Sequence, residues 1–225
     1  MAIIYLLRHA HSIANGAGIL AGRSVGNPLS PIGMKQARAL VPKLANEDFA
    51  AIYYSPLERC LQTITPLVEE MGKRPRRIPE FLEMDYGDWT GQALSLLRKE
   101  PLWREIQRRP ANVRFPRGES FLAANRRVTK GLNLLTQRHC EKKVLVVSHG
   151  DIIKIALAGT LGIGLDRFQR LIVDPASLSI IDWKSKAVLS TNTPLVKNSI
   201  GKRASRGSTS NSNLARRDLG GGTNV

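Results

Sequence analysis

The chain has 225 residues, 42% of them hydrophobic and 5% aromatic, enough for one sizeable core or a main domain with a small elaboration. No run approaches the roughly eighteen apolar residues of a membrane span, and Cys60 and Cys140 give neither a disulfide scaffold nor a metal-ligand spacing. With 34 Lys+Arg against 18 Asp+Glu the net charge is +16, which draws anions, phosphorylated ones among them, but no aromatic ladder accompanies it to stack bases.

The first apolar run, residues 3–7, is short and β-rich and reads as a buried central strand. It stops at Arg8-His9. No basic region precedes it and no long apolar segment follows, so no signal peptide is expected and the cytoplasm is the expected compartment. Ser30-Pro31 opens a helix, serine as cap and proline at its first position, with Ala37, Leu40, Val41 and Leu44 as its apolar face. Residues 49–54 read as a second strand. Ser55-Pro56 repeats the start signal for a helix over 57–71, and Gly72 ends it. A short extended piece lies at 77–79. Residues 94–109 read as helix interrupted at Pro101 and Pro110, within a helical cover expected around 92–117. A helix over 119–139, a strand over 143–148 and a helix over 151–161 follow. After Gly162 and Gly164, shorter strands are expected at 168–173, 178–183 and 187–189.

The alternation predicts an α/β fold: a mostly parallel central sheet, helices on both faces, and one edge strand of opposite sense. Residues 1–199 are expected to form a single domain. Residues 200–225, rich in Gly, Ser, Asn and Arg, are expected to be a disordered basic tail.

Strand ends in such sheets open into the ligand crevice, and residues 143–148 also end on a histidine, His149. His9 is the candidate nucleophile, since an imidazole can accept a phosphoryl group and pass it to water. The transfer needs cations on the nonbridging oxygens, and the guanidinium forks of Arg8 and Arg59 suit them. His149 can add a hydrogen bond. The helix that follows it begins with free N–H groups, Gly150's included, that favour anions. Neighbours on a strand point opposite ways, so Arg8 and His9 share a pocket only if the backbone turns there. A proton donor is also required. Glu83, Asp85 and Asp88 lie in one glycine-bearing loop, and their residue types leave the choice among them open. Ser12 and Asn15 can hydrogen-bond substrate or cap a helix. Asp151 reads as a helix-start carboxylate or a guide for a substrate hydroxyl, and Arg117 as a substrate contact or a surface residue. His9 and His11 form an HxH pair, but the arginine charge opposes a cation there. No phosphate-binding Gly-x-x-x-x-Gly-Lys-Ser/Thr loop is present, and both cysteines read as packing residues.

These motifs, in this order, resemble the histidine phosphatase superfamily, with its phosphoglycerate-mutase-like fold, over about residues 3–190. Arg-His-Gly-x-Thr-x-x-Asn corresponds to Arg8 through Asn15, and Pro-Leu-Thr-x-x-Gly-x-x-Gln-Ala to Pro28 through Ala37. Ser-x-x-x-Arg-x-x-Gln-Thr corresponds to Ser55 through Thr63, Glu-x-x-x-Gly-x-Trp-x-Gly to Glu83 through Gly91, and the second histidine to His149. The resemblance implies that His9 becomes phosphohistidine and that Arg8, Arg59 and His149 hold the phosphate. It also selects Glu83 as the general acid and base, and it implies no metal or organic cofactor. Ala10, His11 and Ser12 depart from the pattern without removing a catalytic group. The segments around His149 and 174–177 resemble a subgroup of small bacterial phosphatases. Mutases of the family carry a longer insertion than the one between Gly91 and Gly118, so a phosphomonoesterase acting on a phosphorylated small molecule is expected. The alternatives are a phosphoglycerate-type mutase and a non-catalytic phosphate- or nucleic-acid-binding protein. No membrane or nucleic-acid partner is expected, and the oligomeric state is left open between monomer and homodimer. Trp103, Arg104, Arg108, Arg109 and Arg114 of the cover are expected to help choose the leaving group.

Overall fold

The computed structural model describes residues 2–196. The expected tail at 200–225 lies outside them. The chain runs β1 (Ile3–Arg8), α1 (Ile13–Gly16), α2 (Pro31–Ala39), α3 (Val41–Leu44), β2 (Phe49–Tyr54) and α4 (Glu58–Glu70). It continues through β3 (Arg76–Arg77), α5 (Leu94–Leu97), α6 (Pro101–Arg108), α7 (Phe121–Arg138), β4 (Lys143–Ser148), α8 (Gly150–Leu161), β5 (Ser177–Asp182) and β6 (Ala187–Pro194). Short 3₁₀ turns fill the connections. The six strands lie in the order β3-β2-β4-β1-β5-β6.

The pleat sorts each strand's side chains onto two faces. Ile4 and Leu6 of β1, with Val144 and Val146 of β4, pack in one buried cluster with Val128, Leu132 and Leu135 of α7 and the apolar length of α8. Tyr5, Leu7, Leu145 and Val147 pack in the other with Ala37, Leu40, Leu44 and the α4 residues Ile64 and Leu67. Each such fully buried aliphatic side chain contributes about 1.5–3 kcal/mol. The helix read from Ser30 starts as expected, its hydroxyl accepting the Gly33 amide at 3.1 Å, but it divides into α2 and α3 at Leu40. Pro42 has no N–H to continue the ladder, and Val41 is only half-buried.

Two expectations for the C-terminal strands need correction. Residues 168–173 are not a strand: Leu165, Phe168 and Gln169 are buried at helical spacing in a 3₁₀ segment, where the Phe168 ring packs 5.1 Å from that of Phe121. The strand of opposite sense is β5, and it is not at the edge. It lies antiparallel between β1 and β6, so β6 returns in the direction of β1. Among the described residues, no helix is long and apolar enough to cross a membrane.

Candidate active site

β1 and β4 are parallel neighbours in register, Arg8 opposite Ser148, so the residues that follow, His9 and His149, meet side by side with ring centroids 5.3 Å apart. β1 leaves the ladder here for a local reason. The Ala10 amide donates to Thr63 Oγ1 of α4 at 2.9 Å instead of to a strand. The strand ends here, but Arg8 and His9 keep to opposite faces and do not share the cleft lining. Arg8 shares the face of Ile4 and Leu6, fully buried, its Nη1 donating to Val173 O at 2.6 Å. His9 lines a cleft with Ser12, Asn15, Arg59, Glu83 and Tyr86.

The ring nitrogens of the two histidines can be assigned by elimination. His9 Nδ1 is 2.8 Å from Ala10 O. A carbonyl can only accept, so Nδ1 carries the proton and Nε2 keeps its lone pair. His149 Nδ1 is 3.2 Å from Arg59 Nη2, and a guanidinium can only donate. There the lone pair is on Nδ1, and Nε2–H donates to Ser55 Oγ at 2.7 Å. Burial, then the charges of Arg59 and Arg8, hold the His9 pKa well below the ordinary histidine value. Burial and Arg59 do the same to His149, so its 3.7 Å approach to Glu83 Oε2 joins a neutral imidazole to a carboxyl group and is not an ion pair.

Arg59 comes from the first turn of α4 and is fixed by a second bond to Gly22 O at 2.9 Å. Gly22 has φ +52°, and a Cβ there would fall 2.8 Å from Thr90 Oγ1. Gly33 is needed for a different reason: a Cβ would fall 1.9 Å from His11 O, on the loop that follows the nucleophile.

Glu83 lines the cleft and its rivals do not. Asp85 is held by Arg23 at 3.6 Å and Asp88 by the exposed Arg117 at 2.5 Å. Burial first, then the charge of Asp151, pushes the Glu83 carboxyl up to about 7. Its backbone is clamped: Arg127 donates to Leu82 O at 2.6 Å and Glu83 O at 3.1 Å, and Arg23 donates to Glu83 O at 2.8 Å. Glu119 lies just before the Ser120 cap of α7 and anchors Arg127 at 2.6 Å and Arg23 at 3.2 Å. Asp151 is buried outside the cleft, where it accepts the Tyr86 hydroxyl at 2.9 Å.

Ser12 and Asn15 make the reciprocal capping box of α1. This occupies Asn15 Oδ1 and leaves the Asn15 amide donor over for the cleft. Gly150 is the first residue of α8. Ala10 is buried without positive φ, so its Cβ costs no backbone strain, and the His11 ring turns to Ser30 Oγ at 2.8 Å. Of the expected cover, only Leu94 reaches the cleft; Trp103 is buried with its ring stacked on Trp89. Tyr86 and Ser55 received no site role from the sequence. Ser55 stood out as a helix-start signal and as the first residue of the Arg59 motif, yet α4 begins after Leu57 with no side-chain cap. Among the described residues, no three His, Cys, Asp or Glu side chains are grouped to hold a metal ion.

A family model of the histidine phosphatase superfamily (branch 1) matches residues 4–192. The chain belongs to that superfamily. Phosphoserine phosphatase 1 of Hydrogenobacter thermophilus is 31% identical over 83% of this chain and 89% of its own length. A probable phosphoglycerate mutase, GpmB, of Yersinia pestis is 28% identical over 84% of this chain and 88% of its own. Among solved structures, a putative α-ribazole-5′-P phosphatase from Escherichia coli matches with a TM-score of 0.77 and 26% identity, covering 86% of this chain and 97% of that one. As a superfamily member the chain is a histidine-dependent phosphatase for small phosphorylated substrates.

Proposed function

We propose that the chain hydrolyses phosphate monoesters in two displacements at His9 Nε2. The lone pair on Nε2 attacks phosphorus and the bond to the ester oxygen breaks. Glu83, as the neutral acid, gives that oxygen its proton and the alcohol leaves. The Glu83 carboxylate then takes a proton from water as the water oxygen attacks phosphorus. The P–N bond breaks, inorganic phosphate leaves, and Nε2 and the protonated Glu83 are restored. Arg59, Arg8, the Asn15 amide and the Gly150 N–H are the groups assigned to the phosphoryl oxygens, whose charge they offset as it develops; His149, its Nε2 proton taken by Ser55, acts by accepting from Arg59 and holding that guanidinium in place. His9 is held neutral beforehand, so the nucleophile needs no deprotonation step.

One observation carries the reading: an imidazole with its Nδ1 proton engaged by a backbone carbonyl shares a cleft with a carboxyl group poised near neutrality. The relatives' names support the substrate class, since each names a phosphorylated small molecule. Hydrolysis is favoured over mutase chemistry by the short path from Gly91 to Gly118, which is occupied by α5, α6 and a 3₁₀ turn. The test is a panel of phosphorylated metabolites assayed for released phosphate, with 3-phosphoglycerate isomerisation followed in parallel. Phosphate release with little isomerisation is expected; fast isomerisation with little phosphate would overturn the hydrolase reading.

A further inference from the structure

The in-line attack of His9 directs the alcohol away from the nucleophile, past Glu83 and along the cleft walls. Those walls are Ile19, Leu20, Ala21 and Leu94, with Tyr86. The Tyr86 hydroxyl is engaged by buried Asp151 at 2.9 Å, so the tyrosine offers its ring and not a hydrogen-bond donor. Arg59 is the only Lys or Arg among the lining residues, and it points to His149 and Gly22 O. Arg23, which reaches the Glu83 backbone, is committed to Glu119 at 3.2 Å, Asp85 at 3.6 Å and Glu83 O at 2.8 Å. Despite the net charge of +16, no lysine or arginine among the described residues lines the alcohol side. A carboxylate there would lose water against apolar groups and gain no counter-charge.

We infer that this site takes phosphate esters whose alcohol is uncharged and apolar beside the ester oxygen, and that it discriminates against phosphorylated hydroxy acids and amino acids. The inference rests on the hydrolase reading and narrows its substrate class. The whole chain is assayed for kcat/KM on 2-phenylethyl phosphate, O-phosphoserine and 3-phosphoglycerate. All three are esters of primary alcohols, so leaving-group basicity is closely matched. The phenylethyl ester is expected to be favoured by about a hundredfold. Ala21→Arg and Ile19→Lys, both at partly exposed wall positions, are each expected to raise 3-phosphoglycerate about tenfold relative to the phenylethyl ester. Equal or faster turnover of either acid by the unaltered chain would overturn the inference, as would an unchanged ratio in both variants. If 3-phosphoglycerate alone phosphorylates His9 and the phosphoryl group is released as inorganic phosphate, the inference fails while the hydrolase reading stands. If no ester yields phosphate or an acid-labile phosphoprotein, both fail.

Discussion

His9 and His149 follow adjacent parallel strands in register, are both buried and are both held neutral. Their partners make them opposites. A backbone carbonyl takes the Nδ1 proton of His9 and leaves Nε2 bare. An arginine takes the Nδ1 lone pair of His149 and puts the proton on Nε2, against Ser55. The same residue at equivalent strand ends is thus given one tautomer suited to attack and another tied into the Arg59 cluster. Chemical role here follows from which atom type faces Nδ1.

The sharpest way to break this comparison is to remove each ring in turn. His9→Ala is expected to lower turnover by at least about 10⁴-fold and to abolish acid-labile phosphoprotein in rapid-quench trapping. His149→Asn is expected to cost about 10²–10³-fold with phosphoprotein still trapped. Undiminished turnover in His9→Ala, or loss of trapping only in the His149 variant, would reverse the roles.

Glu83 comes next in size. Its carboxyl is pushed up to about 7, so it is a proton donor below that pH and a carboxylate above it. His9 must be neutral, and its pKa lies well below the ordinary value. The pH profile of kcat/KM should therefore fall above about pH 7 through Glu83, with an acid limb well under pH 6.5 through His9. Glu83→Gln should lower kcat by about 10²–10⁴-fold and erase the upper limb. The same shift has a stability consequence with a definite sign. A carboxyl raised on folding favours the folded state at low pH, and that contribution is lost as pH rises from about 4.5 to about 7. Glu83→Gln should therefore melt higher than the parent at pH 8, and the gap should narrow towards pH 4.5. A gap that widened on acidification would contradict the raised pKa.

The strand pair carrying these histidines was legible because burial and alternation act locally. Residues 49–54 and 143–148 are strands with those bounds, and the polar stops after residues 7 and 148 marked the cleft. What was not legible depends on contacts far apart in sequence. Residues 168–173 are apolar enough for a strand, but Phe168 packs against Phe121 and Val173 O is taken by Arg8. Glu83 could not be separated from Asp85 and Asp88 by residue type. The separation comes from Arg23 and Arg117, which hold the rivals outside, and from the Arg127–Glu119 clamp across 8 residues of another element. Ser55 is the plainest case: Ser-Pro is a sound local helix-start signal, and nothing local says that its hydroxyl belongs to a histidine 94 residues away.

That hydroxyl offers the smallest and most selective test of the comparison. Ser55 and His149 are both fully buried, so in Ser55→Ala the Nε2–H loses its acceptor at 2.7 Å and finds only the Cys60 sulfur, at 3.6 Å. The thiol pKa, pushed up to about 12 by burial, makes the sulfur a neutral and weak acceptor. A buried donor left without a good partner costs about 1–3 kcal/mol, which a denaturant melt can read. Because Arg59 still occupies Nδ1 of His149, the tautomer should survive, and kcat should fall by less than about tenfold. Imidazole ¹⁵N shifts would show the His149 proton still on Nε2. A proton found on Nδ1 instead would mean that Ser55, and not Arg59, sets the tautomer. The contrast between the histidines would then rest on a hydroxyl, which can donate or accept, rather than on a cation that can only donate.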